Sequence, residues 1–265
     1  MENSGSGGLD GEHGLSVLVE SEAGTVLFDT GESDLFVTNA ESMGINLSAI
    51  GAIVISHGHH DHAGGLGVAC RRLPDAPVWI HPDAFHPKLS RRDGELHFAG
   101  IPDDAISSCG GRFRNAYGGL TPLPGMKLIA ACNARYPIPS GNDTLFARVD
   151  GTVVPDEFSD EISLAVEVGD ALLLVTGCSH RGIANIIEAT EAAYPGRRID
   201  TVIGGLHTRR DSPEMVAIVA ERLSGIRRVY AGHCTGEEAF AVLERHLGDA
   251  VRSCPSGTRI TVPSC

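Results

Sequence analysis

The most constraining feature of the sequence is a histidine cluster that directly follows an apolar run. Residues 52–56 read Ala-Ile-Val-Ile-Ser and predict a buried strand. The next six residues are His-Gly-His-His-Asp-His. Because alternate residues of a loop leaving a strand can converge on one side, we expect His57 and His59 to bind one metal ion. Asp61 and His62 lie farther along and are expected to face a second ion.

The ligand types in this cluster indicate which ions could bind. Imidazole nitrogen and carboxylate oxygen suit Zn²⁺, iron or manganese. A solvated histidine-rich loop or a purification tag is one alternative, but a tag would not follow an apolar strand. A structural metal is a second alternative, although structural zinc prefers thiolates and four closed ligands. We therefore expect two divalent ions, with zinc as the first choice.

Further ligands have to come from distant segments, and three histidines each follow a predicted strand. His180 stands in Thr-Gly-Cys-Ser-His, His207 in Gly-Gly-Leu-His, and His233 in Gly-His-Cys-Thr-Gly. Strands that deliver a histidine at the same end provide the geometry of a site at a sandwich edge. We expect His180 and His233 to bind metal and leave His207 open. Cys178 is either a thiolate ligand or a small buried residue.

Short apolar runs and helical periodicity predict a mixed α/β sandwich with the sheets inside and the helices outside. We expect one domain over residues 1–265, with a loop-rich insertion at about 86–125 that could cover an active site. Strands are predicted at 15–20, 25–29, 52–56, 77–81, 127–131, 163–168, 171–176, 201–204 and 228–231. Helices are predicted at 34–43, 181–194, 213–223 and 237–247.

The composition of the chain disfavours some classes of binding partner and indicates a cellular location. Apolar residues make up 42% of the chain, and the net charge of −13 would repel nucleic acids and anionic membranes. No apolar run approaches the 18 or so residues of a membrane span, and the polar start of the chain does not resemble a signal peptide. Residues 1–12 are rich in Gly and Ser and are expected to be disordered. Seven cysteines without a CxxC pair favour free thiols and a cytoplasmic location. The oligomeric state is not predicted.

The His-x-His-x-Asp-His run after an apolar strand resembles the signature of the metallo-β-lactamase superfamily. Residues 25–31, Thr-Val-Leu-Phe-Asp-Thr-Gly, are similar to an earlier strand of that family. The resemblance implies a four-layer αββα sandwich. It also implies that Asp29 supports the ligands from beneath without binding metal. A simple turn carboxylate is the alternative for Asp29.

Motifs along most of the chain also resemble one group in this superfamily, the 7,8-dihydropterin-6-methyl-4-(β-D-ribofuranosyl)aminobenzene-5′-phosphate synthases. The motifs are Glu-His-Gly-Leu-Ser from residue 12, Ser-His-Gly-His from 56, His-Pro-Asp-Ala-Phe from 81, Thr-Gly-Cys-Ser-His from 176, Gly-Gly-Leu-His from 204 and His-Cys-Thr-Gly from 233. That group joins a dihydropterin methyl diphosphate to an aminobenzene ribosyl phosphate. Two positions depart from it: His60 replaces a usual Tyr, and Leu206 replaces a usual Phe.

The resemblance implies a transferase that acts on a small, phosphorylated substrate. A hydrolase of a small ester, lactone or phosphodiester is the alternative, with water activated by the ions. A non-catalytic iron sensor and a catalytically degraded relative are further alternatives. Asp61 is expected to orient the nucleophile as well as bind metal. Lys88 and Arg135 are candidates for substrate binding, as basic residues in or beside the insertion, although either could be an ordinary surface charge. Asp160 and Glu161 resemble an acidic pair of the group and could contact substrate or cap a turn.

Overall fold

A computed structural model describes residues 1–263 and shows two main sheets packed face to face. The strands are β1 Val17–Ser21, β2 Gly24–Phe28, β3 Ile50–Val54, β4 Val78–Ile80, β5 Lys88–Arg92, β6 Glu95–Phe98, β7 Phe113–Asn115, β8 Met126–Ile129, β9 Leu145–Val149, β10 Thr152–Pro155, β11 Ser163–Val168, β12 Ala171–Val175, β13 Arg198–Gly205, β14 Arg228–Gly232 and β15 Val251–Arg252. The helices are α1 Leu35–Ser42, α2 His60–Ala63, α3 Leu66–Arg72, α4 Asp103–Ser108, α5 Ile183–Ala193, α6 Pro213–Leu223 and α7 Glu237–Leu247.

The first main sheet has the order β1-β2-β3-β4-β7, and the second has the order β15-β14-β13-β12-β11-β8. From β2 to β7 the first sheet is parallel, and from β12 to β15 the second is parallel. The carboxyl ends of several strands therefore lie at one edge of each sheet. The predicted strands and the four predicted helices are present with shifts of at most three residues at their ends.

The apolar residues form the layers that the sequence predicted. Val26, Val54, Leu164 and Val175 belong to a core between the two sheets. Residues of α1, α3 and α4 pack on the outer face of the first sheet, and residues of α5, α6 and α7 pack on the outer face of the second. The structure thus confirms the four-layer αββα sandwich.

The expected loop-rich insertion contains more regular structure than predicted. Strands β5 and β6 form an antiparallel hairpin, which joins β9 and β10 in a separate sheet of order β10-β9-β5-β6. Strand β7 belongs to the first main sheet. The buried positions of β5 include Lys88 and Ser90, whose polar side chains conceal the strand pattern in the sequence.

The prediction of disorder at residues 1–12 is wrong for the first few of them. The backbone N–H of Glu2 donates to Ser256 Oγ at 2.8 Å, and Gly5 forms a β-bridge with Ser256. Ser256 N–H in turn donates to the carbonyl of Ser4 at 2.8 Å. A Cβ on Gly5 would lie 1.9 Å from the carbonyl oxygen of Leu9, so glycine is needed there for close packing within the N-terminal segment.

The expectation of free thiols is also wrong for one pair. Cys70, in α3, and Cys109, at the end of α4, form a disulfide that ties these helices together. Cys132, Cys178, Cys234 and Cys254 are free. Within residues 1–263, no helix has the length and apolar character required to cross a membrane.

Candidate metal centre

The ligand candidates meet because three segments leave their strands at the same edge of the sandwich. The histidine run follows β3, with its last residues in α2. His180 follows β12, and His233 comes directly after β14. Close backbone packing needs glycine here: a Cβ on Gly58 would lie 2.2 Å from the carbonyl oxygen of Ala84, and one on Gly177 would lie 2.3 Å from Ser56 Oγ.

The first group of candidate ligands is His57, His59 and His180, all buried. Nε2 of His57 lies 3.1 Å from Nδ1 of His59, and the ring centres of His57 and His180 are 4.8 Å apart. Nε2 of His59 and Nε2 of His180 are buried and have no hydrogen-bond partner among residues 1–263. Burying polar atoms without partners is costly, and an ion between these rings would remove that cost.

The second group is Asp61, His62, Cys178 and His233. Nε2 of His62 lies 3.1 Å from Nε2 of His233 and 3.2 Å from Sγ of Cys178. Oδ2 of Asp61 lies 3.2 Å from Nε2 of His233. Nitrogen, carboxylate oxygen and sulfur donors aimed at one point form a set that suits Zn²⁺ or another divalent transition metal.

The buried Asp29 carboxylate supports both groups. Oδ2 of Asp29 lies 2.7 Å from Nδ1 of His62 and accepts a hydrogen bond from Ser56 Oγ at 2.7 Å. Oδ1 accepts the backbone N–H of Ser56, and Ser56 Oγ lies 2.9 Å from Nδ1 of His57. Asp29 thus lies beneath the candidate ligands, which is the place that the resemblance implied.

The carboxylates of Asp160 and Glu161 accept hydrogen bonds from the backbone of the loops that carry the candidate ligands. Asp160 Oδ2 accepts the N–H of Gly58 at 2.8 Å. Glu161 accepts the N–H groups of His180 and Arg181 with its two carboxylate oxygens, at 2.6 and 2.7 Å. Burial raises the pKa of Glu161 to about 7, despite the opposing effect of these two hydrogen bonds. Of the two roles considered for this pair, the turn-capping one matches the contacts.

Lys88 and Arg135 are each paired with carboxylates that belong to neither group of candidate ligands. Lys88 is 2% exposed, and its ammonium lies 2.9 Å from carboxylate oxygens of both Asp156 and Asp160. The charge of Lys88 is therefore already neutralised in the interior, which argues against the expected substrate contact. Arg135 lies on the surface, where it pairs with Glu188 at 2.8 Å.

His207 lies beside the two groups. It forms a third cluster with Cys178 and His180, and its ring centre is 4.1 Å from that of His180. The backbone N–H of His207 donates to Cys234 Sγ at 3.3 Å. His60, which departs from the usual Tyr, faces Glu32 across 3.4 Å.

Charge at the centre is divided between its two groups. Burial would lower the pKa of His62, but the carboxylates of Asp29 and Asp61 outweigh this effect and raise it to about 9. Burial lowers the pKa of His59 to about 4. The pKa of Asp61 is well below its usual value, because His62, His13 and His233 outweigh the effect of burial. Without metal, the first group is therefore a set of neutral imidazoles, and the second carries the Asp61 carboxylate together with a protonated His62.

Several residues at the centre were not identified from the sequence. His13 Nε2 lies 3.3 Å from Asp61 Oδ2, and this contact raises the pKa of His13. The ring of Phe158 stacks on His180 with 3.9 Å between ring centres. Asn3 and Asn142 contact the rings of His233 and His180. Only His13 had a signal in the sequence, since it lies in the Glu-His-Gly-Leu-Ser motif.

The profile of the metallo-beta-lactamase superfamily matches residues 9–233. The chain belongs to this superfamily. It is 29% identical over 243 residues to the 7,8-dihydropterin-6-methyl-4-(beta-D-ribofuranosyl)-aminobenzene-5'-phosphate synthase of Methanocaldococcus jannaschii, covering 86% of this chain and 82% of that protein. The uncharacterized protein MJ0448 of the same organism is 26% identical over 239 residues, covering 88% of each chain.

Among solved structures, the chain is similar to Tm1679, described as a metal-dependent hydrolase of the beta-lactamase superfamily. The TM-score is 0.86 at 33% identity, and the match covers 99% of this chain and 96% of that one. The M. jannaschii synthase and Tm1679 thus differ in the class of reaction that their names describe.

Proposed function

We propose that this superfamily member is an enzyme with two divalent metal ions. The first ion is bound by His57, His59 and His180. The second is bound by Asp61, His62, His233 and Cys178. The observation that carries this proposal is the convergence of seven donor side chains from three separate strand ends into two compact groups. Zn²⁺ fits this donor set best, with iron or manganese as the alternatives. His207 is a further candidate ligand beside Cys178 and His180.

When bound, two such ions would act as Lewis acids and lower the pKa of a water molecule. The residues of this chain supply the positions and the proton contacts. Asp61 is a carboxylate with 20% of its side chain exposed and a lowered pKa, so it can accept a hydrogen bond and orient a nucleophile at the exposed side of the centre. His13, with 58% of its side chain exposed beside Asp61, has a raised pKa and is placed to exchange a proton with solvent there.

The first candidate reaction is a transfer of the synthase type. The similarity to the M. jannaschii synthase over most of both chains supports this choice. The substrates would be a dihydropterin methyl diphosphate and an aminobenzene ribosyl phosphate, with the ions neutralising the departing diphosphate. Recognition of phosphate would have to come from groups other than Lys88, whose ammonium is buried between two carboxylates.

The second candidate reaction is hydrolysis of a small ester, lactone or phosphodiester. The description of Tm1679 as a metal-dependent hydrolase favours this alternative. Both reactions use the same two groups of ligands, so the geometry of the metal centre fits either one. In both, the partner is a small molecule.

We propose a cytoplasmic location, which the absence of a CxxC pair favours. The Cys70–Cys109 disulfide argues against it, because reducing compartments keep most such pairs as thiols.

The test compares the two reactions on one protein sample. Protein loaded with zinc, manganese or iron is incubated with the two synthase substrates and, separately, with a panel of lactones and phosphodiesters. Formation of the joined pterin product, absent with His59→Ala, would support the transferase. Turnover of only the panel compounds would identify a hydrolase. Activity that is unchanged in both His59→Ala and Asp61→Asn would contradict the proposed centre.

A further inference from the structure

Two asparagines contact two of the candidate ligands in the same way. Nδ2 of Asn3 donates to the backbone carbonyl of His233 at 3.0 Å, and Oδ1 lies 2.9 Å from Nδ1 of the same histidine. Nδ2 of Asn142 donates to the backbone carbonyl of His180 at 2.8 Å, and its Oδ1 lies 2.9 Å from Nδ1 of His180. Each amide therefore contacts one histidine at both its backbone carbonyl and its ring. We refer to each such pair of contacts as an amide clamp.

The amide clamp determines which ring nitrogen carries the proton. A backbone carbonyl can only accept a hydrogen bond, so the amide atom facing it has to be the nitrogen. The other amide atom is then the oxygen, which can only accept. Nδ1 of the histidine must therefore be protonated, and Nε2 of the neutral ring carries the lone pair. For Asn3 the N–H of Gly14, 3.2 Å from Oδ1, assigns the same orientation independently.

The Nε2 lone pairs of His180 and His233 belong to different groups of candidate ligands. Nε2 of His180 is buried without a hydrogen-bond partner in the described chain and lies with His57 and His59. Nε2 of His233 lies with Asp61, His62 and Cys178. There is thus one amide clamp for each group.

The asparagines come from outside the strands that carry the ligands. Asn142 lies in the short 3-10 turn Ser140–Thr144, and Asn3 lies in the N-terminal segment. That segment is held by Ser256, which accepts the N–H of Glu2 at 2.8 Å, and Glu2 in turn accepts the N–H of His233. By contrast, Nδ1 of His62 is held by the carboxylate of Asp29. A neutral amide can orient a ring without adding negative charge beside the ion.

We propose that Asn3 and Asn142 are positioning residues, one for each ion. Each fixes the Nδ1–H tautomer of its histidine and so aims Nε2 at the ion. This inference rests on the proposed two-ion function, but the protonation pattern can be measured without any metal. Outer hydrogen-bond partners of this kind typically change metal affinity by about 10- to 100-fold.

The test uses Asn3→Leu and Asn142→Leu, which keep a similar volume and remove the acceptor. Long-range ¹H–¹⁵N spectra of metal-free protein report the protonated nitrogen of each neutral histidine. Wild-type protein should show Nδ1–H at both His180 and His233, and each Leu variant should lose that signature at its own histidine. Asn3→Asp and Asn142→Asp retain an acceptor at Nδ1 and should retain the signature. Asn133→Leu, at an exposed loop position, is the control.

Metal affinity provides the second readout. In a His59→Ala background, which leaves only the second group intact, Asn3→Leu should weaken the remaining Zn²⁺ by about 10- to 100-fold. Asn142→Leu should leave it within about threefold, since the change lies in the other group. Chelator competition measures both values, and thermal unfolding of the metal-free variants checks the fold.

Two results would overturn the inference: an unprotonated Nδ1 at either histidine of the metal-free wild type, or equal weakening of the remaining ion by both Leu variants. Should a Leu variant fail to fold, loss of the Nδ1–H signature in the corresponding Asp variant would also contradict the inference. Wild-type protein that binds no metal would refute the proposed function alone, because the spectra still decide the tautomers.

Discussion

The carboxylate of Asp29 and the imidazole of His62 are both fully buried and lie 2.7 Å apart, between Oδ2 and Nδ1. The same carboxylate accepts two hydrogen bonds from Ser56, whose hydroxyl contacts His57. One side chain thus links a ligand of each proposed ion. Asp29 itself has a positive φ of 59°, a strained conformation that persists only where surrounding contacts enforce it.

Replacing Asp29 by Asn should weaken metal binding by about 10- to 100-fold. An amide cannot accept from all three donors that the carboxylate now satisfies, so His62 and Ser56 would lose their fixed orientation. Competition against a chelator measures the change. Asp75→Asn, at an exposed turn, is the matched control and should bind metal like the wild type. Equal affinity in Asp29→Asn and Asp75→Asn would show that Asp29 is a simple turn carboxylate.

Replacing Cys178 by Ser should weaken the second ion, because a hydroxyl is a poorer ligand for a transition metal than a thiolate. Burial raises the pKa of the Cys178 thiol, so without metal it is protonated. Metal binding has to displace that proton. With Co²⁺ in place of zinc, wild-type protein should show thiolate-to-metal charge-transfer absorption that Cys178→Ser lacks. Cys132→Ser, at an exposed free cysteine, should keep it. Identical spectra and affinities would make Cys178 structural.

Replacing Lys88 by Met should lower the free energy of unfolding by about 3–5 kcal/mol near pH 7, because two buried carboxylates lose their cation. In the wild type, burial acts to raise the pKa of Asp160, but Lys88 outweighs it and holds that pKa below 3.8. Asp160 therefore contributes stability above pH 3.8 that is lost as the pH falls through its lowered pKa.

Without Lys88 the direction of the pKa shift of Asp160 reverses. Burial then raises the pKa of Asp160, so the deficit in Lys88→Met should shrink as the pH falls and that carboxylate takes up a proton. Urea unfolding of metal-depleted protein at several pH values measures this. Lys127→Met is the control, since Lys127 contacts a backbone carbonyl and the Tyr194 ring. A deficit in Lys88→Met that does not change with pH would contradict the account of the ion pair.

Removing the disulfide with Cys70→Ser and Cys109→Ser together should lower the free energy of unfolding. The two cysteines are 39 residues apart, and loop closure over that length is worth about 4 kcal/mol in the chain-entropy model. Denaturant unfolding with and without a reducing agent measures the loss, and reduced wild type should match the double variant. Alkylation of both cysteines in native, unreduced protein would show that the bond does not form.

The fold was predictable because its signals are local. The runs at β11 and β12 and the periodicity of α6 and α7 each identify one element, and the histidine motif fixes the family. Strand β5 was missed because its buried positions carry Lys88 and Ser90. The disulfide was missed because Cys70 and Cys109 meet only through the packing of two short helices.

The candidate ligands were predictable to the same extent, because they stand in three motifs that each follow a strand. The residues that orient them were not. Asn3 and Asn142 lie 230 and 38 residues from their histidines, and no spacing rule connects them. For Lys88, a basic residue in the predicted insertion suggested a substrate contact, whereas its observed partners are two carboxylates distant in sequence that hold it in the interior.

The metal content of protein prepared with ample zinc tests the central claim most directly. The account predicts about two equivalents of metal in the wild type and about one in His59→Ala, because only the first group loses a ligand. No bound metal in the wild type, or the same stoichiometry in both proteins, would contradict it.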